Sequence, residues 1–136
     1  MLLEALIGIL IFSIGILALV AMQTVGMQAT VDAKYRSEAA FLANDIVGRM
    51  WGDAGNLAAY ETPVACPSTP PFTPAPCDWI NKVTTMLPQD PDTPSNTAPE
   101  IEVNGREVTV TVRWKRPGDA TISNHQVVAQ IFRADD

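Results

Sequence analysis

From Ala5 to Val31 the chain carries no charged residue, yet Glu4 stands immediately before that run. As a helix rising about 1.5 Å per residue, the run reaches about 40 Å, more than the roughly 30 Å hydrocarbon core of a bilayer. A carboxylate beside hydrocarbon is costly unless it finds a partner, so Glu4 demands an explanation. A signal peptide starts with a basic segment and has a shorter apolar core. Here nothing basic precedes the run, and a retained transmembrane helix is the expected reading. The missing basic flank is expected to reflect a leader removed ahead of Met1.

The apolar pattern then narrows to a stripe. Tyr35, Ala39, Leu42, Ile46 and Met50 recur at three- and four-residue steps, one face of a helix. Lys34 with Glu38, and Asp45 with Arg49, are i,i+4 pairs on a neighbouring stripe. No proline occurs before Pro63, so one helix is expected from about Leu2 to about Trp51, with Gly52 and Gly55 as stop signals.

Ten of the eleven prolines lie between Pro63 and Pro99, which excludes a sheet core or a long helix there. One short helix is expected, with Asp78 as N-cap and Trp79, Val83, Met86 and Leu87 on one face before Pro88. Cys66 and Cys77 close a short loop at its start, which suits a disulfide and an oxidising compartment. The alternative is two unrelated buried thiols. The stretch Pro88 to Pro99, with Asp90, Asp92, Ser95 and Asn96, reads as an exposed loop.

The carboxyl-terminal part reads as β. Asn104-Gly105 is a hairpin signal after Ile101 and Val103. Val108, Val110, Val112 and Trp114 then alternate with Thr109, Thr111, Arg113 and Lys115, a strand with one buried face. After the turn Pro117-Gly118-Asp119, a third strand is expected from about Thr121 to Phe132, with Val127, Ala129 and Ile131 inward. The fold class is therefore α+β: a long protruding helix whose second half packs on a small antiparallel meander, with room for one more strand in the loop region. By domain, residues 1–31 form the membrane half. Residues 32–136 form the head: amphipathic helix 32–51, proline-rich region 52–99 and meander 100–133.

The net charge of -6 argues against a nucleic-acid surface. No catalytic constellation stands out. His125 is the only histidine and lies in a strand; no Gly-rich phosphate loop or Cys-x-x-Cys occurs. Asp90, Asp92 and Asn96 fit no calcium-loop spacing, and Trp51, Trp79 and Trp114 read as core or domain-edge residues. No enzyme activity, cofactor or metal is expected.

Leu2-Leu3-Glu4-Ala5-Leu6-Ile7, followed by Ile11-Phe12-Ser13-Ile14-Gly15-Ile16-Leu17-Ala18-Leu19, resembles the amino-terminal helix of type IV pilins. The stretch from Ala39 to Met50 and the strand Val108 to Trp114 are similar to those of the minor-pilin subgroup called type IV pilus modification protein V (PilV). The likeness covers nearly the whole chain, most specifically residues 1–51. It implies a subunit inserted in the inner membrane with a periplasmic head, then built into an extracellular pilus. It implies a prepilin peptidase, the inner-membrane assembly machinery, the major pilin, other minor pilins and a large tip adhesin as partners. It also implies N-methylation of the mature terminus.

The family glutamate is normally the fifth mature residue and here is the fourth, so one residue is expected to be missing before Met1. The proline usual halfway along the membrane helix is replaced by Met22 and Gln23; Gly8, Gly15 and Gly26 remain as weak points. The resemblance gives Glu4 the role of setting axial register, by pairing with the amino terminus of a neighbouring subunit. Leu2, Leu3, Leu6, Ile7, Leu10, Phe12, Ile14 and Leu17 would pack the filament core. A type II secretion pseudopilin and a single-span anchored periplasmic binding module are the alternatives.

Overall fold

In the computed structural model, which describes residues 1–63, 66–67 and 75–132, helix α1 runs from Leu2 to Gly52. A 3-10 turn follows at Leu57–Tyr60, then α2 at Cys77–Met86, a second 3-10 turn at Pro94–Thr97, and strands β1 (Glu100–Asn104), β2 (Glu107–Trp114) and β3 (Ser123–Gln130). The chain divides into two compact units, Met1–Tyr35 and Arg36–Asp136. The first consists of the opening part of α1 alone.

In the second unit, the rest of α1 buries Ala39, Leu42, Ala43, Ile46, Val47 and Met50. These positions follow the apolar stripe in the sequence, widened by Ala43 and Val47. They lie in one core with Val108, Val110, Val112 and Trp114 of β2, all 1% exposed or less. Period 3.6 on the helix and period 2 on the strand thus present two apolar faces that cover one another. α2 closes the core through Trp79 and Val83, and the Trp79 indole N–H donates to the Leu42 carbonyl at 2.8 Å. That bond explains how a buried tryptophan satisfies its only polar atom. It also ties α2 to α1.

The sheet is antiparallel, in the order β1-β2-β3. Its hairpin differs by one residue from the sequence expectation. Asn104 is the last residue of β1 and pairs with Glu107, so the two-residue loop is Gly105-Arg106. Only Gly105 has a positive φ, +64°, the pattern of a turn with glycine first rather than one needing two left-handed residues. The second turn follows expectation. Asp119 N–H bonds the Arg116 carbonyl at 3.1 Å, Pro117 takes the first central position and Gly118 the second at φ +86°.

Other local expectations also shift. Pro76 precedes the first residue of α2, so Asp78 is not the N-cap and sits within the first turn. Met86 is 39% exposed rather than part of the α2 core face, because the helix ends there and Leu87, 2% exposed, turns inward as extended chain. Asp90 is not solvated: it is 4% exposed, and its carboxylate accepts from Lys115 Nζ at 3.0 Å and from the Asp92 N–H at 3.2 Å. Thr97, fully buried, donates to Gln89 and accepts from the Asp90 N–H, which folds the stretch back on itself. Val127 and Ala129 are only half buried, while Ile131 is 1% exposed. The room left for a fourth strand falls largely on 64–65 and 68–74, outside the described residues.

Cys66 and Cys77 form a disulfide with Cα atoms 5.4 Å apart, and Cys77 is also the first residue of α2. Closing this loop removes freedom from the unfolded chain, a contribution of about 2–4 kcal/mol. Replacing both cysteines with serine is expected to lower the unfolding free energy by about that amount. Chemical denaturation of the two proteins measures it; equal midpoints would mean that the bridge adds no stability.

Candidate functional site: an uncovered apolar helix ending in a carboxylate

Within the unit Met1–Tyr35, every residue of the apolar run is exposed. Leu2 is 83% exposed, Phe12 70% and Leu17 69%; Leu3, Leu6, Ile7, Leu10 and Ile14 are each at least half exposed. The residues expected to pack a filament core therefore lie bare on one helix. α1 is long and apolar enough to cross a membrane by length and composition. An apolar helix of this size held in water would gain about 25 cal/mol for each Å² of apolar surface it could hide. Its stable environment is hydrocarbon or other helices.

The Ser and Thr hydroxyls between Met1 and Val31 are satisfied within the helix. Ser13 donates to the Ile9 carbonyl at 2.7 Å, Thr24 to Val20 at 3.0 Å, and Thr30 to Met27 at 2.8 Å. Such back-bonding lets hydroxyls lie in an apolar medium. Glu4 is different. It lies in the first turn, where a negative charge is favoured by the helix dipole, but it is exposed and has no ion pair among the described residues. Glu4 is thus the only charged side chain between Met1 and Val31, and it lies exposed beside the bare apolar surface.

The head offers different chemistry. α1 and α2 are joined by four charges. Asp45 accepts from Arg49 at 3.1 Å and from Lys82 at 3.2 Å, and Arg49 also pairs with Asp78. Burial alone would raise the Asp45 pKa, but the Lys82 and Arg49 cations outweigh it and hold the carboxyl below its ordinary value. At Asp90 the Lys115 ammonium does the same, against a smaller opposing push from burial. Asp45 and Arg49 stand four apart in the sequence, and Asp78 and Lys82 have the same spacing, the sign of a second charged stripe facing the first.

Both shifts are downward. Their contribution is present at neutral pH and is lost as pH falls from about 4 through the lowered values. The head is expected to melt at lower temperature at pH 3 than at pH 6, and Asp45→Asn to lessen the difference. Thermal scans of the two proteins at both pH values check this. An unchanged pH dependence in Asp45→Asn would remove Asp45 from the account.

Comparison with protein-family models, curated proteins and solved structures returns no match.

Two depressions of about 490 Å³ each open on the head. One is lined by Leu57, Glu61, Arg106 and Ile131 among others, and its lining holds no Ser, Cys or His. In the other, Lys115 and Arg116 are already paired with Asp90 and Asp119. His125 lies opposite Val112 in the β2–β3 ladder, half buried. Among the described residues no group of His, Cys, Asp and Glu is arranged to hold a metal. The apolar surface of α1 beside Glu4 is the largest feature left without cover among the described residues.

Proposed function

We propose that this chain is a minor structural subunit of a bacterial type IV pilus. It waits in the inner membrane with its head in the periplasm and is then built into the fibre through the apolar helix. The observation that carries this reading is the bare apolar segment of α1, unburied throughout its spanning window, with Glu4 set into its start. A lipid bilayer would serve the leucines, isoleucines and phenylalanine equally well, leaving the carboxylate at the membrane surface with the helix dipole as its only support. A bundle of identical or similar helices serves both. Packing supplies most of the association, and the amino terminus of a neighbouring subunit supplies the cation. Glu4 then sets axial register, since an offset subunit would leave a buried charge unpaired.

The residue-level resemblance of residues 1–51 to type IV pilins supports the same reading, as does the α+β head with its disulfide. Its partners would be the major pilin, other minor pilins and the prepilin peptidase with its inner-membrane machinery. The test is Glu4→Ala, read by membrane fractionation and by assay of sheared surface filaments. Retention in the membrane with loss from filaments is the expected result. Unchanged assembly would remove the register role. A wild-type chain that stays in the membrane would favour a single-span anchored module.

A further inference from the structure

The two edges of the sheet are treated differently. At β1, Thr62 covers the outward-facing backbone: its N–H donates to the Ile101 carbonyl at 3.0 Å and its hydroxyl accepts from the Ile101 N–H at 2.8 Å. Pro63 follows immediately. Edge strands are commonly protected in this way, or by lysine, proline or inward-pointing charges.

Among the described residues, β3 has none of these devices. No Asp, Glu, Lys, Arg or Pro occurs from Thr121 to Phe132. Ile131 N–H bonds the Arg106 carbonyl at 2.8 Å, which places the odd-numbered residues of β3 in the bonded pairs with β2. The N–H and C=O groups of Asn124, Gln126, Val128 and Gln130 therefore point outward, and all four residues are exposed. Among the described residues, no backbone bond reaches that edge. The exposed large hydrophobic residues of the sheet region are Ile122 at 37%, Val128 at 57% and Phe132 at 50%, and all three lie on or beside β3.

We propose that the free edge of β3 pairs with the same edge of a second copy of this chain, antiparallel about a two-fold axis at Val127. The sequence of the strand selects this occupant. With Val127 facing Val127, Asn124 faces Gln130, Gln126 faces Val128, and Ile122 faces Phe132, so the exposed apolar residues flanking the strand meet each other. His125 faces Ala129 on the half-buried side. No charge meets a like charge, although the chain as a whole is acidic. The interface is isologous, and every outward group of one strand finds its counterpart in the other. This pairing does not depend on the pilus reading, since it requires only the head.

Across such an axis the Val127 residues form a non-bonded pair with Cα atoms about 4.5 Å apart, within reach of a disulfide. The test uses the full chain in detergent micelles carrying Val127→Cys, with Glu102→Cys on the covered β1 side as control. Cys66 and Cys77 are already joined to each other, so the introduced thiol is the free one. A disulfide-linked dimer several-fold more abundant at position 127 than at 102 is expected. Gln126→Pro should abolish it, because proline removes an outward N–H and spares the β2 ladder. Val128→Lys should do so without altering the backbone. Equal cross-linking at both positions, persistence in both variants, or linkage only to other proteins would overturn the pairing.

Discussion

Trp79→Ala is expected to lower the stability of the head by about 3–5 kcal/mol, the range for a large aromatic removed from a packed core. For a domain of this size that corresponds to a melting temperature lower by roughly 10–25 °C. Trp79 is fully buried, and α2 has only Val83 and the disulfide-bonded Cys77 as its other buried residues. Removing the indole leaves a void and also removes its 2.8 Å bond to the Leu42 carbonyl, which keeps only its helical donor. Trp51, 49% exposed, is the internal comparison: Trp51→Ala should change stability by no more than about 1 kcal/mol. Calorimetry of the full chain in detergent separates the two. Similar melting temperatures for both variants would mean that α2 does not complete the core.

The second large effect is on assembly. Glu4→Ala removes the only charged side chain from the first thirty-one residues and leaves the apolar run intact. Membrane insertion should therefore be preserved or slightly favoured, since a carboxylate near hydrocarbon opposes it. If Glu4 meets the amino terminus of a neighbour inside a bundle, its loss strands that cation in a medium of low dielectric. Breaking a buried pair by removing one member costs about 3–5 kcal/mol, two to four powers of ten in occupancy. Incorporation should drop below detection while the membrane pool remains. Glu4→Gln keeps the shape and removes the charge, and should fail in the same way. Full assembly of Glu4→Gln would show that shape rather than charge matters.

Much of the fold could be read from the residues, for identifiable reasons. The uninterrupted helix to Gly52 follows from the lack of any proline before Pro63, and the buried face of β2 follows from strict alternation at Val108, Val110, Val112 and Trp114. What escaped the sequence depended on contacts between distant residues. Asp90 and Asp92 look solvated among prolines, and nothing nearby announces that Lys115 will cover Asp90. Thr62 carries no mark of its bonds to Ile101 across the chain. The half-burial of Val127 and Ala129 depends on how far the core reaches along the sheet, which alternation within β3 does not encode. Glu4 was conspicuous because it breaks a pattern. Its proposed partner was beyond reach, since that partner belongs to another molecule.

The decisive measurement is the content of this chain in surface filaments sheared from the cells that produce it and purified away from membranes. Quantitative mass spectrometry of the wild-type filaments should find it at a low, constant ratio to the principal subunit, with Glu4→Ala filaments devoid of it. A chain confined to the membrane fraction while filaments form normally would contradict the assignment.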